Sequence, residues 1–83
     1  MKFTSYFLHN RDRPDRRSIR DEWIERLIRN PIRRRTQADG RIRLWARIDE
    51  ADGRYLRVIL LPDGETVHNA FFDRRFKEDD DES

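Results

Sequence analysis

His9, His68, Asn69 and a dense set of arginines are the side chains of this chain with chemistry to offer. Histidine titrates near neutral pH and moves protons, and arginine grips phosphate or carboxylate with a planar fork of donors. Asparagine binds a phosphate oxygen or orients a base, but it neither gives nor takes a proton near neutrality. A site that works on a phosphate ester needs a group to take a proton, a group to give one and cations for the charge that develops. His9, Arg13, Arg17, His68 and Asn69 are therefore the candidate catalytic set. Arg11, Arg41, Arg43, Trp45 and Arg47 are candidate nucleic-acid contacts, because an aromatic ring among cations has the composition of a base-stacking surface. Plainer roles compete at every one of these positions. Either histidine can anchor an element as a partly buried ring, and the arginines from 11 to 17 can pair with Asp12, Asp15, Asp21 and Glu22. Trp45 can pack under the N-terminal segment. The two widely separated histidines and the acidic tail show no metal-ligand spacing, so no metal or other cofactor is expected.

Charge is unevenly spread. Residues 1–47 carry 14 basic and 6 acidic side chains, and residues 48–83 carry 5 basic and 11 acidic. Five acids fall in the last six residues, Glu78 to Ser83, which have nothing to bury and read as a disordered tail behind a single domain of residues 1–77. The basic remainder suits an anionic partner such as RNA, or an acidic protein. Of the 19 basic residues, 17 are arginine, which fits phosphate recognition and equally fits a genome-wide preference for arginine codons.

The elements that must position these side chains are short. With 83 residues, 35% hydrophobic and 43% charged, the chain buries a thin core, and without cysteine it has no disulfide to reinforce it. No run approaches the roughly 20 apolar residues of a membrane span, and the N-terminal apolar stretch is too interrupted for a signal peptide, so a cytoplasmic protein is expected. Ile19, Trp23, Ile24, Leu27 and Ile28 recur at helical spacing, with Ser18 as the expected cap and Asn30-Pro31 as the stop. A break is expected near Arg13-Pro14. From Ile42 the period becomes two, and the turns Asp39-Gly40, Ala51-Asp52-Gly53 and Pro62-Asp63-Gly64 separate strands at Ile42 to Ile48, Arg54 to Leu61 and Glu65 to Asp73. Ile32 to Gln37 is a polar edge-strand candidate. The expected fold is α+β, an N-terminal helical segment packed on a three- or four-stranded antiparallel meander sheet. Its central strand, ending in the apolar run Val58 to Leu61, is expected to be covered on both faces.

The order of residues His9-Asn10-Arg11, Arg13, Arg17 and Ile19, then Arg29-Asn30-Pro31, Asp39-Gly40-Arg41, Leu56-Arg57-Val58 and Val67-His68-Asn69-Ala70-Phe71 resembles a small bacterial domain-of-unknown-function family. That family is related to BrnT-type toxins and more distantly to RelE-like ribonucleases. The resemblance spans His9 to Arg75. It implies a helix-plus-antiparallel-sheet fold that binds RNA and, in toxin relatives, cleaves it without a metal. It also implies His9 and the following arginines as recurrent polar positions; an acidic protein such as an antitoxin is the alternative partner. Where the family often carries threonine before Ala-Phe, this chain has Asn69. The alternative function is a protein-interaction module without catalysis, and the oligomeric state is left open.

Overall fold

The aromatic-rich start of the chain divides at Thr4. Lys2–Phe3 forms a two-residue strand, β1, and Thr4 then caps helix α1 (Ser5–Asn10), its hydroxyl accepting from the Phe7 amide. The computed structural model describes residues 1–79. Past Asn10 the chain winds through tight turns, in which the amides of Arg13, Arg16, Arg17 and Ile19 each bond to a carbonyl three or four positions back. Helix α2 (Asp21–Arg29) follows. Its N-cap is Arg20 without a side-chain bond, so the expected Ser18 cap is replaced by Asp21 and Glu22 in the first turn, whose charges suit the positive end of the helix dipole. Asn30 ends it ahead of Pro31, with its amide bonded to the Arg26 carbonyl.

Four further strands follow, β2 (Arg33–Thr36), β3 (Ile42–Ile48), β4 (Arg54–Leu60) and β5 (Thr66–Phe72). The sheet order is β1-β5-β4-β3-β2. Strands β2 to β5 form the antiparallel meander, with β4 in the middle. The expectation of three or four antiparallel strands falls short by one: β1 adds to the free side of β5 and runs parallel to it, Lys2 beside Thr66 and Phe3 beside Val67. Two residues are too few to show a period, and the chain between β1 and β5, with both helices and β2 to β4, supplies the long connection that parallel pairing requires. α1 likewise lies ahead of the one helix that the sequence periodicity predicts.

Ile42, Leu44, Ala46 and Ile48 of β3 share the core with Leu56, Val58 and Leu60 of β4 and with Val67 and Ala70 of β5. Trp23, Ile24 and Leu27 of α2 and Phe7 of α1 cover this apolar face. The other face is different. Directly paired residues share a face, so Arg33, Trp45, Arg57 and Phe71 make one row across four strands, and Arg35, Arg43, Ile59 and Asn69 make the next. Among the described residues no helix lies over these rows. The expectation that β4 is covered on both faces is therefore corrected: Tyr55, Arg57 and Ile59 are only half-buried.

Part of the second face is crossed by the chain's own C-terminal segment. Phe76 stacks on Trp45, and Glu78 takes hydrogen bonds from the Tyr55 hydroxyl to its carboxylate and from Arg33 to its carbonyl oxygen at 2.9 Å. The acidic tail expected from Glu78 thus begins in contact with the body, and residues 80–83 lie outside the described residues. No helix of the described residues is long and apolar enough to cross a membrane.

Candidate nucleic-acid interface

The site begins with an irregularity in β5. Ile59 of β4 faces Asn69, yet the next residue, Leu60, faces Val67, so His68 is an extra residue with no partner opposite it. Such a bulge re-aims side chains. Val67 and Ala70 are both buried although three positions apart, and the two polar residues between them stay out of the core.

His68 stacks on Tyr6 of α1, with ring centroids 4.9 Å apart and Nδ1 3.2 Å from the Thr4 hydroxyl. Burial, and then the charge of Arg41, pushes its pKa below the ordinary value, so the ring is neutral at neutral pH. Asn69 Oδ1 accepts from an Arg16 guanidinium nitrogen at 2.5 Å and from the Ala70 amide at 3.0 Å. Thr4, Tyr6 and Arg16, from the start of the chain, thus meet the bulge directly, and Asn10 joins Arg16 and Asn69 in lining a small cleft beside it.

Phe71 carries two guanidinium groups: Arg16 Cζ lies 5.4 Å from its ring centroid and Arg57 Cζ 5.2 Å. Arg57 also lies over Trp45 at 5.4 Å, and one of its terminal nitrogens is 3.6 Å from Asp73. Burial and the neighbouring charge of Arg43 lower the Arg57 pKa against the pull of Asp73, which marks a crowded cationic face. The Nε–H groups of Arg16, Arg43 and Arg57 are all buried with no hydrogen-bond partner. A carboxylate oxygen of Asp15 lies 3.7 Å from Arg16 Nε, beyond hydrogen-bond range. Buried donors on charged groups are costly to leave unbonded, and an anion that displaced the side chains covering this face would satisfy them. Beside Arg16 opens a groove of about 720 Å³, whose lining also includes Tyr55, Phe71, Arg74 and the acidic Asp15 and Asp73. Among the described residues no three His, Cys, Asp or Glu side chains gather where they could hold a metal ion.

The structure brings together some of the residues singled out by sequence and separates others. His68, Asn69 and Arg43 belong to the assembly just described. His9 is exposed on the last turn of α1, about 200° around the helix from the inward-facing Phe7. Arg13 and Arg17 are exposed, and Arg13 lies 3.6 Å from Asp15, so Arg16 is the arginine of this turn that reaches Asn69. Arg11 ties the turn to α2 through an ion pair with Asp21 and lies over the Phe3 and Phe7 rings. Arg41 pairs with Asp39 at 3.8 Å and Arg47 with Asp49 at 3.1 Å. Trp45 is only 5% exposed: Phe76 stacks on it at 5.2 Å, and its indole N–H donates to Asp73 at 3.0 Å. It packs under the C-terminal segment rather than under the N-terminal one. Sequence reasoning passed over Arg57, which the alternation Leu56-Arg57-Val58 places on the non-core face. Arg16 belongs to the run from Arg11 to Arg17 whose arginines can line a phosphate site or pair with neighbouring acids, and no periodic signal within a run of turns sets it apart from them.

Comparison of the chain with protein-family models, with curated proteins and with solved structures gives no match. What is defined is a small α+β protein with a five-stranded mixed sheet, one face apolar and helix-covered and the other rich in arginine and aromatic rings. The toxin resemblance rests on the residues quoted for it above.

Proposed function

We propose that this protein binds RNA in the cytoplasm through the arginine-bearing face of its sheet, with Arg16, Arg43 and Arg57 as the phosphate contacts. The observation that carries this reading is the set of three buried Nε–H donors without acceptors around Phe71 and Trp45. A phosphodiester supplies acceptors and negative charge together, and the excess of basic residues in the first half of the chain favours its approach.

The geometry favours binding over cleavage. Asn69 is held by Arg16 and cannot transfer protons, and His9 points away from the core on α1. A metal-independent ribonuclease of the toxin type would then rely on His68, acting through Nε2 while Thr4 occupies Nδ1. A second reading, in which an acidic partner such as an antitoxin adds a strand, has its own support: among the described residues β2 pairs with β3 on one side only, and Arg34, Arg35 and Thr36 on it are exposed. Such a partner would protect the β2 amides from hydrogen exchange.

Fluorescence anisotropy with a labelled single-stranded oligoribonucleotide tests the RNA reading. Three phosphate contacts give a log–log salt slope of about −2, roughly a fifteenfold loss of affinity over a fourfold rise in salt. Arg43→Ala should make that slope shallower by about 0.7. Binding that ignores salt, or that is unchanged in both Arg43→Ala and Arg57→Ala, would remove the arginine face from the function.

A further inference from the structure

The C-terminal segment holds its one aromatic ring in a setting that has little to do with phenylalanine as such. The Phe76 ring lies nearly parallel to the Trp45 indole, at 17° and 5.2 Å, with Tyr55 tilted against it at 5.1 Å and the Arg33 guanidinium 5.1 Å from its centroid. A flat indole on one side, a second ring at the edge and a cation nearby form a cage for any planar ring. The polar groups of that cage are answered by another residue: the Tyr55 hydroxyl and an Arg33 N–H both bond to Glu78. Phe76 and Glu78 together thus present a ring and two acceptor oxygens, a carboxylate oxygen to the Tyr55 hydroxyl and a backbone carbonyl to Arg33. A nucleotide presents a ring and acceptor oxygens in one molecule.

We infer that the seat of Phe76 is a nucleobase-binding cage of Trp45, Tyr55 and Arg33, filled in the free protein by the chain's own C-terminal segment. The inference rests on the RNA reading above and deepens it, because an unpaired base must enter the cage and the preferred ligand is therefore single-stranded. Position supports it. Trp45 is paired with Arg57 across β3 and β4, so a base stacked there has a proposed phosphate contact as its neighbour. The cover is also lightly held. Asp73 bonds through its amide to the Tyr55 carbonyl, and past Arg75 no backbone-to-backbone hydrogen bond is made among the described residues. Lys77, Glu78 and Asp79 are exposed, so their displacement uncovers little beyond the cage itself.

Two variants of the full chain test the cage: Phe76→Ala, which empties it, and Tyr55→Phe, which keeps the ring but removes the bond to Glu78. Affinity is measured for a short single-stranded oligoribonucleotide and for the same sequence as a duplex, and the Trp45 indole N–H resonance is followed during each titration. Phe76→Ala should bind the single strand roughly tenfold more tightly, since the stacked base no longer competes with the chain's own ring, with duplex affinity unchanged. Tyr55→Phe should shift in the same direction by less. The Trp45 indole resonance should move with the single strand and stay still with the duplex. Circular dichroism reports whether Phe76→Ala is folded, and if it is not, Tyr55→Phe and the wild-type indole titration decide alone. Variants no tighter than wild type, an equal gain for duplex, or an indole signal unmoved by bound single strand would overturn the cage. Wild-type binding that depends on Arg43 without any gain in the variants defeats the cage and leaves the RNA reading standing, whereas no binding by any form defeats both.

Discussion

Replacing Asp73 with asparagine should separate the C-terminal segment from the sheet at a defined energetic cost. The carboxylate takes the Trp45 indole N–H on one oxygen and the Arg75 amide on the other, both at 3.0 Å, and lies 3.6 Å from Arg57. Its side chain is 14% exposed and that of Arg57 is 20% exposed. Burial alone favours the protonated acid, but the Trp45, Arg75 and Arg57 contacts outweigh it and hold the carboxyl below its ordinary value. At Arg57 the balance falls the other way, yet its guanidinium stays charged throughout the working range, so the pH sensitivity of the contact resides in Asp73. The amide side chain in Asp73→Asn would be nearly isosteric but would offer one acceptor oxygen instead of two and no charge. The loss of one hydrogen bond to a charged group, discounted for partial solvent access, is about 1–2 kcal/mol. For a domain of this size that lowers the melting temperature by roughly 4–16 °C. Thermal and urea denaturation followed by circular dichroism measure it, and a red shift of tryptophan emission reports the uncovering of Trp45. A variant within about 0.3 kcal/mol of wild type, with unshifted emission, would show that this contact does not hold the segment.

The acid limb of the stability curve should depend on the same group. Because the folded pKa of Asp73 is depressed, its contribution is complete above the unfolded-state pKa of about 3.9 and disappears as pH falls through the folded value, so wild type should lose the advantage over Asp73→Asn in strong acid. Leu27→Ala, at a fully buried position under α2, should cost about 2–5 kcal/mol by urea denaturation, whereas Ile59→Ala, half-buried on the arginine face, should cost less than about 2 kcal/mol; equal losses would contradict the assignment of the two faces. Deletion from Arg74 onward removes Phe76 from Trp45 and should lower the melting temperature by several degrees, as calorimetry would show.

Much of the meander was legible because its strands obey simple periods. Ile42 to Ile48 alternates cleanly, the Asp-Gly turns mark the strand ends, and the apolar stripe of α2 lies between Ile19 and Pro31. β1 and α1 were illegible, since two and six residues carry no measurable period and Thr4 caps through geometry rather than pattern. The bulge at His68 has no local signature either: it arises from the register against β4, and it alone keeps both His68 and Asn69 out of the core. Which arginine of the domain's start reaches β5 depends on the turn after α1. Arg16 faces inward while Arg13 and Arg17, identical in chemistry, face solvent. Trp45 was read by composition as an open platform. Its burial under Phe76 depends on a C-terminal segment whose aromatic residue lies 31 positions away.

The central claim concerns three particular N–H groups, and arginine side-chain Nε–H resonances can be followed one by one. A ¹⁵N-edited NMR titration of the full chain with a single-stranded oligoribonucleotide should move the Nε–H signals of Arg16, Arg43 and Arg57 together and slow their exchange with water, while those of Arg20 and Arg26, which contact Glu22 and Glu50 away from the sheet rows, stay in place. Signals of Arg16, Arg43 and Arg57 that remain unmoved while the RNA is bound would place the contact elsewhere and contradict the account.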